Sequence, residues 1–227
     1  MTRPRLSQLM TWEKHVALVL EVLAEALLIL KSNGSLPETE VDLNRELYWC
    51  LLKANQKLSK IGRGLDHPPV PEGKNPPDTD DATRSKREDK IPDFYWGFID
   101  HAEPDHRRCA RNLFIECKRL GKPARSSWIF NQNYVHYGLI RFTTTDHGYA
   151  KGERSAVMVG YLQSMEFEEV LHEVNITASS ISLTPLKGPL NGWQKGGISE
   201  FAHSLARAFP ISPMLLQHFW IDLRNVK

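Results

Sequence analysis

The chain predicts an α/β fold in which a central mixed β-sheet is flanked by helices and preceded by an N-terminal helical segment. Two long helix-periodic runs come first, and apolar strand-like runs near residues 93–100, 111–119 and 156–163 then alternate with further helical patterns. No internal repeat interrupts this order.

Residues 12–31 read as a helix that is apolar around most of its circumference, with Lys14, Glu21 and Glu25 on one polar stripe. Such a helix is buried on several sides, either in the chain's own core or against another protein. After Ser32-Asn33-Gly34-Ser35, residues 38–60 form a second helix with Leu43, Leu47, Leu51, Ala54 and Leu58 on one stripe. Glu46 stands at the flank of that stripe, where it could look inward. Residues 62–90 are rich in Pro, Asp, Lys and Gly, lack apolar periodicity and read as a mobile loop. The chain therefore divides into N-terminal helices (1–61, the second helix belonging to the core), this loop (62–90), and an α/β region (91–227).

Strands over 93–100 and 111–119, joined by a polar turn through Glu103-Pro104-Asp105, are expected to pair as an antiparallel hairpin. A helix over 126–141, a strand over 156–163, helices near 165–174 and 198–208, and a final strand near 214–224 complete the pattern.

With 227 residues, 41% hydrophobic and a formal charge of +2, the chain fits one compact domain. Cys50, Cys109 and Cys117 are an odd set without CxxC spacing, which argues against a disulfide framework and for a reducing, cytoplasmic setting. The most apolar stretch, Val16 to Leu30, is short for a membrane span and contains Glu21 and Glu25, so no membrane association is expected. The near-neutral charge argues against blanket nucleic-acid binding. Yet Arg107, Arg108, Arg111, Lys118, Arg119, Lys122 and Arg125 surround a single acidic residue, Glu116, a band suited to phosphates.

Within that band lies Glu116-Cys117-Lys118 on an apolar run. Strand alternation sends Leu113, Ile115 and Cys117 to one face and Phe114, Glu116 and Lys118 to the other. If Asp93, in Ile91-Pro92-Asp93-Phe94, reaches the second face, two carboxylates and a lysine converge, a set suited to holding a hard divalent cation beside a phosphate. Asp100, at the other end of the same strand, is the alternative, because register decides which aspartate meets Glu116.

In Pro92-Asp93 and Glu116-Cys117-Lys118, with a helix-borne Glu46 upstream, the chain resembles the PD-(D/E)XK, or restriction-endonuclease-like, nuclease superfamily over roughly residues 40–165. The resemblance implies a mixed sheet flanked by helices and Mg²⁺- or Mn²⁺-dependent hydrolysis of phosphodiester bonds, more probably in DNA than in RNA. Asp93 and Glu116 would ligate the cation and the Cys117 carbonyl would add an oxygen. Lys118 would orient or help deprotonate the attacking water, and Glu46 would reach the metal through water. Gln132, Tyr134 and Arg141 are candidates for the residue such nucleases often carry on the following helix, although Tyr134, Tyr137 and Phe142 equally suit packing on the sheet. Since the superfamily includes anti-phage effectors, the resemblance also implies a place in a multiprotein bacterial defence complex with an ATPase or sensor subunit among its partners. The alternative is a catalytically inactive binding or scaffold subunit.

Arg119, Lys122, Arg125, Arg141, Lys151 and Arg154 are the candidate nucleic-acid contacts. The last two belong to the glycine- and charge-rich loop 147–154, which equally suits an ordinary strand connection. A zinc site from His101, His106, Cys109 and Cys117 has poor spacing, and His218, in a terminal apolar strand, is assigned no role.

Overall fold

A computed structural model of the chain describes residues 10–75 and 87–224. Helix α1 (Trp12–Ser32) begins at Thr11, whose hydroxyl accepts from the Lys14 amide, and α2 (Glu40–Ser59) begins at Thr39, which caps Asp42 in the same way. Each cap satisfies an amide that the first turn leaves without a helical partner.

Six strands follow: β1 (Val70–Pro71), β2 (Phe94–Ile99), β3 (Ala110–Leu120), β4 (Ser155–Leu162), β5 (Ile198–Leu205) and β6 (Met214–Asp222). They form one mixed sheet in the order β1-β2-β3-β4-β6-β5. β2 runs antiparallel to both of its neighbours, β1 and β3, while β3, β4 and β6 run parallel, and β5 returns antiparallel on β6. The expected hairpin is present, with Phe94 opposite Ile115 and Ile99 opposite Ala110.

The two faces of the sheet are covered differently. Leu113, Ile115 and Cys117 of β3 join Val157, Val159 and Phe219 in a core shared with α1 and α2. Val19, Leu23, Leu27 and Leu30 of α1 are fully buried there, so the first helix is packed into this chain's own core. Its acidic stripe is used as well, because Glu25 meets Lys57 of α2 at 2.6 Å and Glu21 meets Arg63 at 2.7 Å. On the other face, α3 (Phe130–His136), a 3₁₀ turn (Leu139–Phe142) and α4 (Phe167–Ser180) cover Phe114, Met158, Leu216 and Trp220. A capping box between Glu166 and Glu169 starts α4. Among the described residues, no helix is long and apolar enough to cross a membrane.

Three expectations are corrected. Residues 198–205 are a strand and not a helix: Phe201, His203 and Leu205 point in while Glu200, Ala202 and Ser204 point out, a period of two that the i, i+4 spacing of Phe201 and Leu205 disguises. The helix expected over 126–141 is short, because Arg125 to Trp128 form a hydrogen-bonded turn and Gly138 leaves helical geometry at φ −118°, ψ −82°. The segment expected to be a mobile loop is anchored where it is described. His67 offers its carbonyl to the Trp96 indole at 2.7 Å, and Val70–Pro71 pairs with β2. The buried Asn75 donates to the carbonyls of Arg87 and His147 at 3.0 and 2.8 Å. Residues 76–86 of that segment lie outside the described residues.

Candidate functional site

Asp93 immediately precedes β2, one step beyond the Phe94–Ile115 pair, and so comes level with Glu116 on the neighbouring strand. The Cys117 amide donates to Asp93 Oδ2 at 2.7 Å, fixing the carboxylate against β3. Asp100 lies at the far end of β2, 3.6 Å from the Arg111 guanidinium, and takes no part. Register thus decides for Asp93.

Lys118 Nζ is the hub. It lies 2.8 Å from Glu116 Oε1, 2.9 Å from Glu40 Oε1 and 3.7 Å from Asp93 Oδ2, and it donates to the Cys117 carbonyl at 2.7 Å. Arg141, from the 3₁₀ turn after α3, adds a second cation 2.6 Å from Glu116 Oε1. Three carboxylates and two cations therefore meet where β2, β3, the start of α2 and the end of the α3 segment converge. Cys117 contributes only its backbone, since its thiol is buried in the α1/α2 core.

Solvent reaches the group unevenly. The Glu116 side chain is 0% exposed and that of Lys118 7%, whereas Asp93, Arg141 and Glu40 keep 18, 25 and 31%. Burial raises the Glu116 pKa to about 8, helped by the charge of Asp93 and opposed by Lys118 and Arg141. Burial also raises the pKa of Asp93, against Lys118 and the Cys117 amide. For Lys118 burial disfavours the charge, but Glu116, Asp93 and Glu40 outweigh it and hold the ammonium's pKa above its ordinary value.

Glu116 Oε2 is buried and accepts no hydrogen bond from the described residues. A buried carboxylate oxygen without a partner is costly. Together with the hard oxygen donors of Asp93 and the Cys117 carbonyl, it fits a divalent cation. The fit requires rearrangement. Among the described residues no three His, Cys, Asp or Glu side chains form a ready ligand cluster, and the Lys118 ammonium now lies between the carboxylates.

The helix-borne glutamate is Glu40, not Glu46. Glu46 is half-buried six residues along α2, where its charge helps raise the Cys50 thiol's pKa, and it does not reach Lys118. Glu40 occupies the first turn of α2, and besides Lys118 it accepts from the Arg119 amide at 3.2 Å. The legible signal was its place directly after the Thr39 cap, at a helix end that faces the sheet.

The candidate nucleic-acid contacts do not form one band. Arg141 belongs to the charged cluster itself. Arg119 donates to the Glu38 carbonyl and lies over the Phe130 ring, 4.2 Å from its centroid. Lys122 and Arg125 are exposed just past the C-terminal end of β3. Lys151 and the exposed Arg154 precede β4, which runs parallel to β3, and so lie toward the opposite end of the sheet. Gln132 is exposed on α3. Tyr134 is buried away from the cluster, its hydroxyl 2.7 Å from His218 Nδ1 and accepting from Trp220 Nε1 at 3.0 Å.

No protein-family model, curated protein or solved structure matches the chain.

Proposed function

We propose that the chain is a metal-dependent nuclease that hydrolyses phosphodiester bonds in DNA, using the cluster of Asp93, Glu116 and Lys118. The observation that carries this reading is the convergence of a β2-edge aspartate with a glutamate and a lysine two residues apart on β3, with one buried Glu116 oxygen left unpartnered. The order of elements supports it too. A helix bearing Glu40, an antiparallel pair bearing the three residues, a helix, and a strand returning parallel is the order that the PD-(D/E)XK resemblance implies.

Asp93, Glu116 and the Cys117 carbonyl would hold Mg²⁺ or Mn²⁺. A cation held there would polarise a phosphoryl oxygen and offset developing negative charge. The chain's own residues supply the rest. Lys118, kept protonated by its carboxylate neighbours, serves as a donor to the attacking water or the developing charge and not as a base. Glu40 anchors the lysine from the helix side, and Arg141 holds the buried Glu116 in place. The setting that goes with this reading is a cytoplasmic effector in a bacterial defence complex, whose protein partners choose the target.

A second reading, a nuclease-like scaffold without turnover, is favoured by one observation. Lys118 and Arg141 already occupy Glu116 Oε1 within the chain, at 2.8 and 2.6 Å. Plasmid incubated with the full chain in Mg²⁺, Mn²⁺ or chelator separates the two. Cleavage is expected with metal, absent in chelator, and reduced about 10²–10³-fold in Lys118→Ala and Asp93→Asn. Cleavage equal in all of these rejects the mechanism, and a folded wild type that binds DNA without cutting it selects the scaffold.

A further inference from the structure

In the segment that leads from β3 to Arg141 the chain exposes two aromatic rings that the packing of the sheet does not use. Trp128 is 42% and Tyr137 53% exposed, yet their rings are stacked, 6.3 Å between centroids and 13° from parallel. The other aromatics of this segment behave differently: Phe130, Tyr134 and Phe142 are buried against the sheet. Two large rings held parallel in water present flat faces at a low ordering cost, because their relative orientation is already set.

The rings sit in a strongly one-signed part of the chain. From Cys117 to Thr145 the sequence carries Lys118, Arg119, Lys122, Arg125 and Arg141 and no aspartate or glutamate. A tight turn ties charge to ring, since the Trp128 amide donates to the Arg125 carbonyl at 2.9 Å and the Ala124 amide to the Trp128 carbonyl at 3.2 Å. At the other side, Tyr137 lies four residues before Arg141, whose guanidinium holds Glu116. The exposed Lys122 and Arg125 thus stand next to the turn that carries Trp128, and Tyr137 stands next in sequence to the segment that carries Arg141. A protein partner would also accept exposed aromatics. Lys118 and Arg141 are paired with carboxylates, but the exposed Lys122 and Arg125 favour a polyanion whose bases stack while its phosphates meet these two cations.

We propose that Trp128 and Tyr137 form a stacking platform for an unpaired base, so that the substrate of the neighbouring site is a single-stranded nucleic acid or a strand opened at the point of cleavage. This rests on the nuclease reading for its substrate role, but base stacking is measurable by itself. A base held on the rings leaves the adjoining backbone to pass Arg141 toward Lys118.

The test titrates the full chain, in chelator so that nothing is cut, against fluorescent oligo-dT, oligo-U, a duplex of the same length, and an oligonucleotide with abasic sites. Oligo-dT is expected to bind more tightly than duplex or abasic strands, and the oligo-U arm separates DNA from RNA. Trp128→Ala and Tyr137→Ala should each weaken oligo-dT binding by about five- to a hundredfold, leave abasic binding unchanged and leave the salt slope intact. Trp128→Phe should retain most of the affinity. Lys122→Ala and Arg125→Ala should instead lower the salt slope by about 0.7 each.

Equal binding of abasic and normal strands, or no effect of Trp128→Ala, overturns the platform even if the chain cleaves DNA. No binding of any oligonucleotide by the folded wild type also overturns it and turns the rings toward a protein partner. If the wild type binds as described but never cleaves with Mg²⁺ or Mn²⁺, the platform stands and the nuclease reading fails.

Discussion

Two polar groups are buried on the same face of the sheet, in one row across the strands. Glu116 is level with Met158 of β4, and Met158 with His218 of β6. At the β6 end, the Tyr134 hydroxyl links His218 and Trp220, and burial together with His203 lowers the His218 pKa so that the ring stays neutral. At the β3 end, three carboxylates and two cations are crowded together; both groups leave buried atoms without a partner among the described residues, His218 Nε2 at one end and Glu116 Oε2 at the other, so the difference lies in the charges. The neutral group is what a core uses to orient its layers cheaply. The charged group is a poor route to stability, because removing ions from water costs several kcal/mol each and hydrophobic replacements serve a core as well or better. Its place in the interior is what the proposed chemistry would account for, whereas packing accounts for the Tyr134 group.

The largest way to break this contrast is to remove the hub. Lys118→Met leaves the carboxylates facing one another and is expected to cost about 3–5 kcal/mol, with the Glu116→Gln/Lys118→Met pair recovering most of it in denaturant titrations. A single variant as stable as wild type would show that the cluster is hydrated and loosely held. A smaller effect comes from the neutral group. Tyr134→Phe strips partners from His218 and Trp220 and should cost about 1–3 kcal/mol by the same titration while cleavage stays unchanged. Loss of cleavage without loss of stability would assign Tyr134 to the site and erase the contrast.

The contrast can also be sharpened by pH. Glu116 ionises in the folded chain at about 8 against an ordinary 4.5, so between these values the folded state holds a proton that the unfolded state has released. Stability is therefore highest below pH 4.5 as far as this residue decides, falls as pH rises through the interval by at most about 1.4 kcal/mol per unit, and levels off above 8. Glu116→Gln should flatten that slope in thermal melts recorded from pH 5 to 8. A slope unchanged by the substitution would assign the proton elsewhere.

Much of this was legible in the chain and some was not, for identifiable reasons. Alternation along residues 113–118 divided β3 correctly between its faces, because a strand with both faces buried still separates charged from apolar side chains. The pairing of Asp93 with Glu116 followed from a hairpin whose register the apolar residues fix. Glu40 was missed because the apolar stripe of a helix reports the side that meets the core, while the residue reaching Lys118 does so from the helix's first turn. The strand at 198–205 was misread because His203 counts as polar in a sequence but is buried in the fold. Arg141 was noted as a phosphate contact and as one of three candidates for the residue on the following helix, but nothing local in the sequence indicates that the 3₁₀ turn carries it back to Glu116.

Asn75 and the far side of residues 76–86 are fastened together. The Asn75 amide donates to the Lys90 carbonyl at 3.0 Å, and its side chain donates to the Arg87 carbonyl at 3.0 Å. These bonds form a clasp between Asn75 and residues 87–90, just ahead of Asp93. A pull on the chain at Asn75 is taken up by these bonds before it reaches Asp93, so the seat of that carboxylate against the Cys117 amide is insulated from the segment ahead of it.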